Sequence, residues 1–174
     1  PWTLIGNVAL AVGSDIEYVK VSSAGKYFIL AKERLADNFK DQAFEILESF
    51  KGSTLVGKSY RPLFDYYQND ESLENKQRGW RVYAADFVTT TDGTGVVHIA
   101  PAFGEDDMEL GRLEKLPFIQ HVGLDGVFKP EVKDFSGLHV KPIGDHSSTD
   151  VEIIKFLAHQ ERLFSKEKYE HSYP

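Results

Sequence analysis

Short β-rich segments separated by turn signals constrain the fold of this chain more than any other feature. Residues 8–12 and 16–21 are two β-rich runs on either side of the turn Gly13-Ser14-Asp15, and this pattern predicts a β-hairpin. Further strands are predicted at residues 27–31, 80–89 and 95–100. Because strands do not alternate regularly with helices, an α+β fold is favoured over a parallel α/β fold.

Two helices are predicted in the second half of the chain. The first follows Glu105-Asp106-Asp107 and ends before Pro117. Its apolar stripe is Met108, Leu110, Leu113 and Leu116. The second begins at Thr149, whose hydroxyl can cap it while Glu152 closes a capping box. The residues expected to face the core are Ile153, Ile154, Leu157 and Ala158.

Three other segments complete the prediction. Residues 32–39 are charged and are predicted to be helical, whereas residues 44–50 fit a helix or a strand, because a short apolar run is ambiguous. Residues 68–79 are polar and are predicted to form an exposed loop rather than an interdomain linker. The turn Thr91-Asp92-Gly93 is expected to join two strands. A length of 174 residues then fits one domain, residues 1–174.

Composition excludes several classes of protein. The chain has no cysteine, which excludes disulfides and thiolate metal sites and fits a reducing compartment. No apolar run reaches the roughly 20 residues of a membrane span. A formal net charge of −7 argues against a long nucleic-acid footprint, but it is compatible with a short single-stranded end held in one pocket.

The segment GTGVVHIAPAFGEDD, residues 93–107, holds the densest group of candidate functional residues. Gly93 and Gly95 flank Thr94 and would let the backbone approach a ligand closely, although the spacing alone favours a plain tight turn. His98 lies in a predicted strand and would titrate near neutral pH, although a hydrogen-bonded structural histidine fits the same pattern. No serine or cysteine nucleophile is evidently paired with it.

Three consecutive acids, Glu105, Asp106 and Asp107, lie where a helix is predicted to begin. Carboxylates there accept hydrogen bonds from free backbone N–H groups and suit the helix dipole. One or two carboxylates suffice for this, so a third is free to bind a cation, either an ammonium group or a metal. His98 with Asp106 and Asp107 offers a candidate ligand set for a divalent ion, but the spacing is not diagnostic.

Several motifs together resemble the editing domain inserted into class I isoleucyl-tRNA synthetases. GTGVVHIAPAFGEDD resembles its signature, PWTLIGNVALAV is similar to the family's PWTLPGN segment, and YEHSYP resembles the point where the insertion rejoins the catalytic body. HVGLDGVF is also similar to the family's sequences. Related valyl enzymes carry a Pro-Glu-Thr-like segment instead of Pro-Trp-Thr, so Trp2 favours the isoleucyl branch. The resemblance implies an α+β, β-barrel-like connective peptide 1 domain with a few peripheral helices, excised from a larger synthetase.

The resemblance implies hydrolysis of valine wrongly attached to tRNA(Ile), and of valyl-adenylate. A pocket for isoleucine rejects valine weakly, since one missing methylene changes the binding free energy by only about 1–3 kcal/mol. Isoleucyl-tRNA synthetase is itself the standard example of this limit. The implied partners are the aminoacylated 3′ end of tRNA(Ile), valyl-adenylate and the rest of the parent synthetase. The domain is expected to be monomeric and cytoplasmic, with no membrane contact, metal or cofactor.

Residue roles carry over by position. Asp107 would bind the α-ammonium group of the aminoacyl moiety, and His98 would border the valine side chain and set the size limit. The other residues carried over are Trp2 and Tyr173 as pocket walls, Thr3 and its polar partner Asn7 lining the site, and Thr94 and Gly95 near the terminal adenosine. Asp107, Thr3 and Asn7 form the implied catalytic set.

The implied mechanism uses a positioned water rather than a nucleophilic side chain. Backbone and hydroxyl groups would stabilise the oxyanion, a free hydroxyl of the terminal ribose could orient the water, and His98 is not assigned as general base. The chain departs from the family at Ile5, where proline is usual, and begins after the family's threonine-rich run, so weak or absent activity is expected of it alone. Thr89-Thr90-Thr91 does not correspond to the family's threonine-rich run, which precedes the Pro-Trp-Thr segment.

Three alternatives stay open at this stage. The chain fits a non-catalytic module that binds the tRNA 3′ end, and it also fits the corresponding editing domain of a valyl-tRNA synthetase. A third possibility is a metal-dependent hydrolase that uses His98, Asp106 and Asp107.

Overall fold

Two open β-sheets and three helices make up the computed structural model, which describes residues 1–167. The strands are Ala9–Val12 (β1), Glu17–Ser23 (β2), Lys26–Ala31 (β3), Glu45–Lys51 (β4), Arg81–Ala84 (β5) and Val97–Ile99 (β6). The helices are Leu35–Asn38 (α1), Glu105–Glu114 (α2) and Ser148–His159 (α3). Strand order is β5-β1-β6 in one sheet and β3-β2-β4 in the other. The α+β class is confirmed, and neither sheet closes into a barrel within residues 1–167.

The predicted hairpin at Gly13-Ser14-Asp15 is wrong, although the turn itself is present. β1 pairs in parallel with β5 and antiparallel with β6, whereas β2 pairs with β3 and β4. The chain therefore turns from one sheet into the other. The physical reason is burial: Ala9, Ala11 and Val12 are almost fully buried, so β1 is a central strand with partners on both edges. β1 also separates β5 from β6, so the turn at residues 91–93 does not join paired strands.

Most other predicted elements form, with shorter bounds. Residues 44–50 resolve as a strand, β4, and the helical segment 32–39 splits into a 3-10 turn, Lys32–Arg34, and α1. The strand predicted at 80–89 ends at Ala84. Residues 68–79 form turns and a short 3-10 helix, Lys76–Arg78.

Helices α2 and α3 confirm the helix predictions but correct several of their details. Leu110 is buried on α2, whereas Leu113 is 76% exposed. Thr149 does not cap α3, because its hydroxyl donates to the backbone carbonyl of His139 at 2.6 Å. Ile153 and Leu157 face the core as predicted. Ile154 is only half-buried and Ala158 is exposed.

Two hydrophobic clusters support the first turn of the chain and β6. One packs β1, β5 and β6 against α2 through residues such as Val8, Ile99 and Leu110. The other is rich in aromatic side chains and packs the first turn against Phe128 and Ile153. The 3-10 helix Trp2–Gly6 thus lies against the aromatic cluster, directly before β1. No helix in the described part of the chain is long and apolar enough to cross a membrane.

Candidate functional site

Asn7 connects the first turn of the chain to β6. Its Nδ2 donates to the Ala9 carbonyl at 2.9 Å and lies 2.8 Å from Nδ1 of His98. Its Oδ1 accepts a hydrogen bond from the Tyr60 hydroxyl. The Asn7 backbone carbonyl accepts from the Trp80 indole at 3.0 Å. The structure therefore brings Asn7 and His98 together, and both polar ends of the Asn7 side chain are engaged within the protein.

His98 is a mostly buried residue at the centre of β6. Burial lowers the pKa of its imidazole to about 4, since a charged ring would lose hydration there, while the Thr3 backbone opposes this effect. The expectation that His98 titrates near neutral pH is therefore wrong, because the sequence could not reveal the burial. Its Nε2 is buried and finds no hydrogen-bond partner within residues 1–167.

Asp107 lies in the first turn of α2 and binds with one of its two oxygens. Oδ2 accepts the Ala100 N–H at 2.8 Å and so holds the turn that follows β6. Oδ1 makes no hydrogen bond in the described part of the chain. Burial raises the pKa of this half-buried carboxyl, and neighbouring Asp106 adds to the effect, while the Ala100 N–H opposes it. A carboxylate with reduced hydration and one unengaged oxygen is suited to binding a cation.

The other two acids of the motif play a simpler part. Glu105 and Asp106 are exposed in the first turn of α2, where negative charge suits the helix dipole. No group of three acidic or histidine side chains in residues 1–167 is placed to hold a metal ion. The alternative based on His98, Asp106 and Asp107 therefore has no assembled ligand set in this structure.

Trp2 packs within a small group of aromatic rings in the first turn of the chain. Its ring packs edge-on against Phe103, with centroids 4.9 Å apart. The Trp2 carbonyl lies 2.9 Å from Nε2 of the fully buried His121, whose ring also packs edge-on against Phe103 at 5.0 Å. Thr3 follows in the same half-buried turn. Tyr173 lies outside the described residues.

Thr94 and Gly95 serve a different part of the fold. The Thr94 carbonyl accepts the Ala31 N–H at 2.8 Å, and the Gly95 carbonyl accepts the Tyr18 hydroxyl at 2.6 Å. These bonds tie the segment before β6 to the second sheet. Gly95 precedes His98 by three residues, or about 10 Å of extended chain. The structure does not place either residue in contact with the Asn7–His98 pair.

A Gly95→Ala substitution should destabilise the chain by about 2 kcal/mol. The alanine would have to adopt the left-handed backbone conformation of Gly95, and its Cβ would overlap with a neighbouring side chain. Gly95 has φ +78°, and an added Cβ would lie 2.5 Å from the Cβ of Ala31. The measurement is the free energy of unfolding in urea. Gly57→Ala is the matched control, because Gly57 has φ +87° but nothing within 4 Å of an added Cβ. An equal loss in both variants would contradict a role for the Ala31 contact.

Three residues of the site were missed by the sequence analysis. Phe103 lies inside the quoted motif and His121 inside HVGLDGVF, so both had a sequence signal without a role. Tyr60 had no signal, because it is 53 residues away from its partner Asn7. Only the folded chain brings such a pair together.

Comparisons with known proteins give the context of this geometry. No family model matches the chain. It is 44% identical over its whole length to an isoleucine–tRNA ligase of Bacillus thuringiensis, and 42% and 40% identical to those of Bdellovibrio bacteriovorus and Clostridium acetobutylicum. Its fold resembles the crystal structure of GlLeuRS-CP1, with a TM-score of 0.51. The whole chain corresponds to one segment of isoleucine–tRNA ligases, and it has the fold of a connective peptide 1 domain. It spans 16% of the length of these relatives.

The likeness to GlLeuRS-CP1 concerns the fold alone. It covers 63% of the chain and 39% of GlLeuRS-CP1, at 20% sequence identity. The sequence relatives, by contrast, match from Pro1 to Pro174. The match therefore includes the first turn with Trp2 and Asn7 as well as the segment from Thr94 to Asp107.

Proposed function

We propose that residues 1–174 form a single editing domain that hydrolyses Val-tRNA(Ile), and valyl-adenylate, within a larger cytoplasmic synthetase. The observation that carries the proposal is the Asn7–His98 contact on β6, followed two residues later by the bond from the Ala100 N–H to Asp107. Trp2 packs against Phe103, which lies between Ala100 and Asp107 in the sequence. The partners would be the aminoacylated 3′ end of tRNA(Ile) and the rest of the synthetase.

Asp107 is proposed to bind the α-ammonium group of the valyl moiety. Oδ2 is held by the Ala100 N–H, which leaves Oδ1 for the ligand and sets the direction of the carboxylate. Partial burial weakens competition from water, so an ion pair there is stronger than one on the surface.

His98 and Trp2 are proposed to limit the size of the side chain that enters. His98 contacts Asn7, and Trp2 contacts Phe103 and His121. These contacts restrict the movement of both side chains. A rigid wall excludes the additional methylene of isoleucine by steric overlap, which discriminates more sharply than a lost contact does.

The chemistry proposed is attack by a positioned water on the ester carbonyl carbon. The tetrahedral intermediate collapses as the bond from carbonyl carbon to ribose oxygen breaks, and that oxygen takes a proton to give free valine and a tRNA with an intact terminal hydroxyl. Thr3 and nearby backbone N–H groups are proposed to stabilise the oxyanion. His98 is neutral and contributes shape and a hydrogen-bonding edge rather than charge.

The test of this function compares Val-tRNA(Ile) with Ile-tRNA(Ile) as substrates of the full-length parent synthetase. Release of valine but not isoleucine is expected. The 174-residue chain should also bind a non-hydrolysable valyl-adenosine analogue more tightly than the isoleucyl one. Binding by the chain without valine release by the parent would instead identify a non-catalytic module for the tRNA end.

His98→Ala in the parent synthetase should widen the pocket and expose Ile-tRNA(Ile) to hydrolysis. Deacylation of Ile-tRNA(Ile) should rise at least about tenfold, since a side chain of this size excludes at least one methylene. The measurement is the rate of isoleucine release from pre-charged tRNA. His159→Ala, at the exposed end of α3, is the matched control. If Ile-tRNA(Ile) stays as protected as in the wild type, His98 does not determine size.

A further inference from the structure

The Ala9 carbonyl determines which way the Asn7 amide faces. A backbone carbonyl can only accept a hydrogen bond, so the Asn7 atom 2.9 Å from it must be the amide nitrogen. The amide oxygen then faces the Tyr60 hydroxyl, which can donate to it. The orientation of the amide therefore follows from its neighbours.

This orientation also determines the tautomer of His98. The Asn7 nitrogen carries two hydrogens, one for the Ala9 carbonyl and the other for His98 Nδ1 at 2.8 Å. Because Nδ1 must accept, the proton of the neutral ring lies on Nε2. That Nε2–H makes no hydrogen bond in residues 1–167, although it is buried. The Thr3 backbone also acts on this ring, since it opposes the lowering of the pKa of His98 by burial.

Tyr60 stabilises this arrangement from the side opposite to His98. Its half-buried hydroxyl donates to Asn7 Oδ1, and burial raises the pKa of the phenol, so it stays protonated and remains a donor at neutral pH. Without that hydroxyl, the amide oxygen would be left unpaired in a partly buried position and the amide would be free to rotate.

We propose that Tyr60 is a positioning residue of the editing site, which holds the His98 ring through Asn7 in one orientation and in the Nε2-protonated tautomer. The proposal rests on the editing function proposed above. It makes Asn7 a positioning residue rather than one that touches the substrate, because its amide is already engaged at both ends.

The tautomer can be read without any substrate. ¹⁵N NMR of the histidine-labelled 174-residue chain distinguishes a protonated from an unprotonated ring nitrogen, and His98→Gln assigns the signals. The wild-type ring should carry its proton on Nε2 alone. Tyr60→Phe should give a mixture of tautomers. Asn7→Asp, whose carboxylate cannot donate, should move the proton to Nδ1. A wild-type ring protonated on Nδ1 would overturn the proposal.

The functional consequence is measured in the parent synthetase. Tyr60→Phe should lower the kcat for valine release about 3- to 10-fold with little change in KM, the scale of one lost hydrogen bond. Tyr66→Phe is the matched control, since it removes a hydroxyl that donates to Asp134 at 2.5 Å and has no contact with Asn7.

Wild-type kcat and a single tautomer in Tyr60→Phe would contradict the proposed role of Tyr60. If the wild-type parent releases no valine, the editing function fails, whereas the NMR result still decides the tautomer. A thermal melt of each variant separates loss of positioning from loss of folding. If Tyr60→Phe fails to fold, Asn7→Asp and the wild-type tautomer still decide whether Asn7 sets the tautomer of His98.

Discussion

Asp107→Ala and Asp107→Asn should each lower the release of valine from Val-tRNA(Ile) by the parent synthetase about 100-fold. Truncating one partner of a partly desolvated charge pair costs about 2–5 kcal/mol, and both variants lose the negative charge proposed to bind the α-ammonium group. The measurement is single-turnover deacylation of pre-charged tRNA. Isoleucine charging by the same variants, measured separately, checks that the synthetic site is intact.

The two variants differ in what happens to the fold. Asparagine keeps an oxygen acceptor for the Ala100 N–H, whereas alanine removes it and should cost about 1 kcal/mol of stability. Asp106→Ala removes an exposed neighbouring carboxylate and should leave deacylation unchanged. Wild-type activity in Asp107→Asn would show that the charge is not needed. Loss of activity in Asp107→Ala alone would indicate that the Ala100 contact matters instead.

Lowering the pH from about 6.5 to about 4 should destabilise the chain by about 3 kcal/mol through His121 alone. Burial lowers the pKa of this ring from 6.5 to about 4, so the unfolded chain takes up a proton in that window and the folded chain does not. The unfolded state therefore gains stability as the pH falls. His98, whose pKa burial also lowers to about 4, acts in the same direction.

The measurement is the free energy of unfolding in urea at several pH values between 4 and 7. His121→Phe removes the titrating ring while keeping an aromatic side chain among Trp2, Phe103 and Phe128, so its stability should vary less with pH than that of the wild type. His159→Gln, on the exposed end of α3, should keep the wild-type slope. Equal slopes in the wild type and His121→Phe would show that His121 is not responsible.

The fold class and most strand and helix positions could be predicted, because local patterns report them. Residues 16–21 and 27–31 formed strands near their expected bounds, and the acidic start of α2 was correct. The pairing of strands could not be predicted. β1 and β2 lie on either side of a turn, as the strands of a hairpin would, and only the pairing in the folded chain shows that they belong to different sheets.

The residues of the candidate site were also predictable only in part. The roles of Asp107 and His98 stay predictions: Asp107 binds the Ala100 N–H with one oxygen, and His98 contacts Asn7. Thr94 and Gly95 contact Ala31 and Tyr18 in the second sheet. Close packing against Ala31 accounts for the absence of a side chain at Gly95. Motif resemblance indicates which residues occur at a site but does not separate those that touch a ligand from those that hold the fold.

By itself, the sequence determined the α+β class and the resemblance to isoleucine–tRNA ligases, because these follow from local hydrophobic patterns and motifs. Only the tertiary structure decided the charge on His98, the engagement of Asn7 at both ends and the contact with Tyr60. Burial and hydrogen bonding between residues 53 and 91 positions apart set those properties, and no local pattern encodes such distant neighbours.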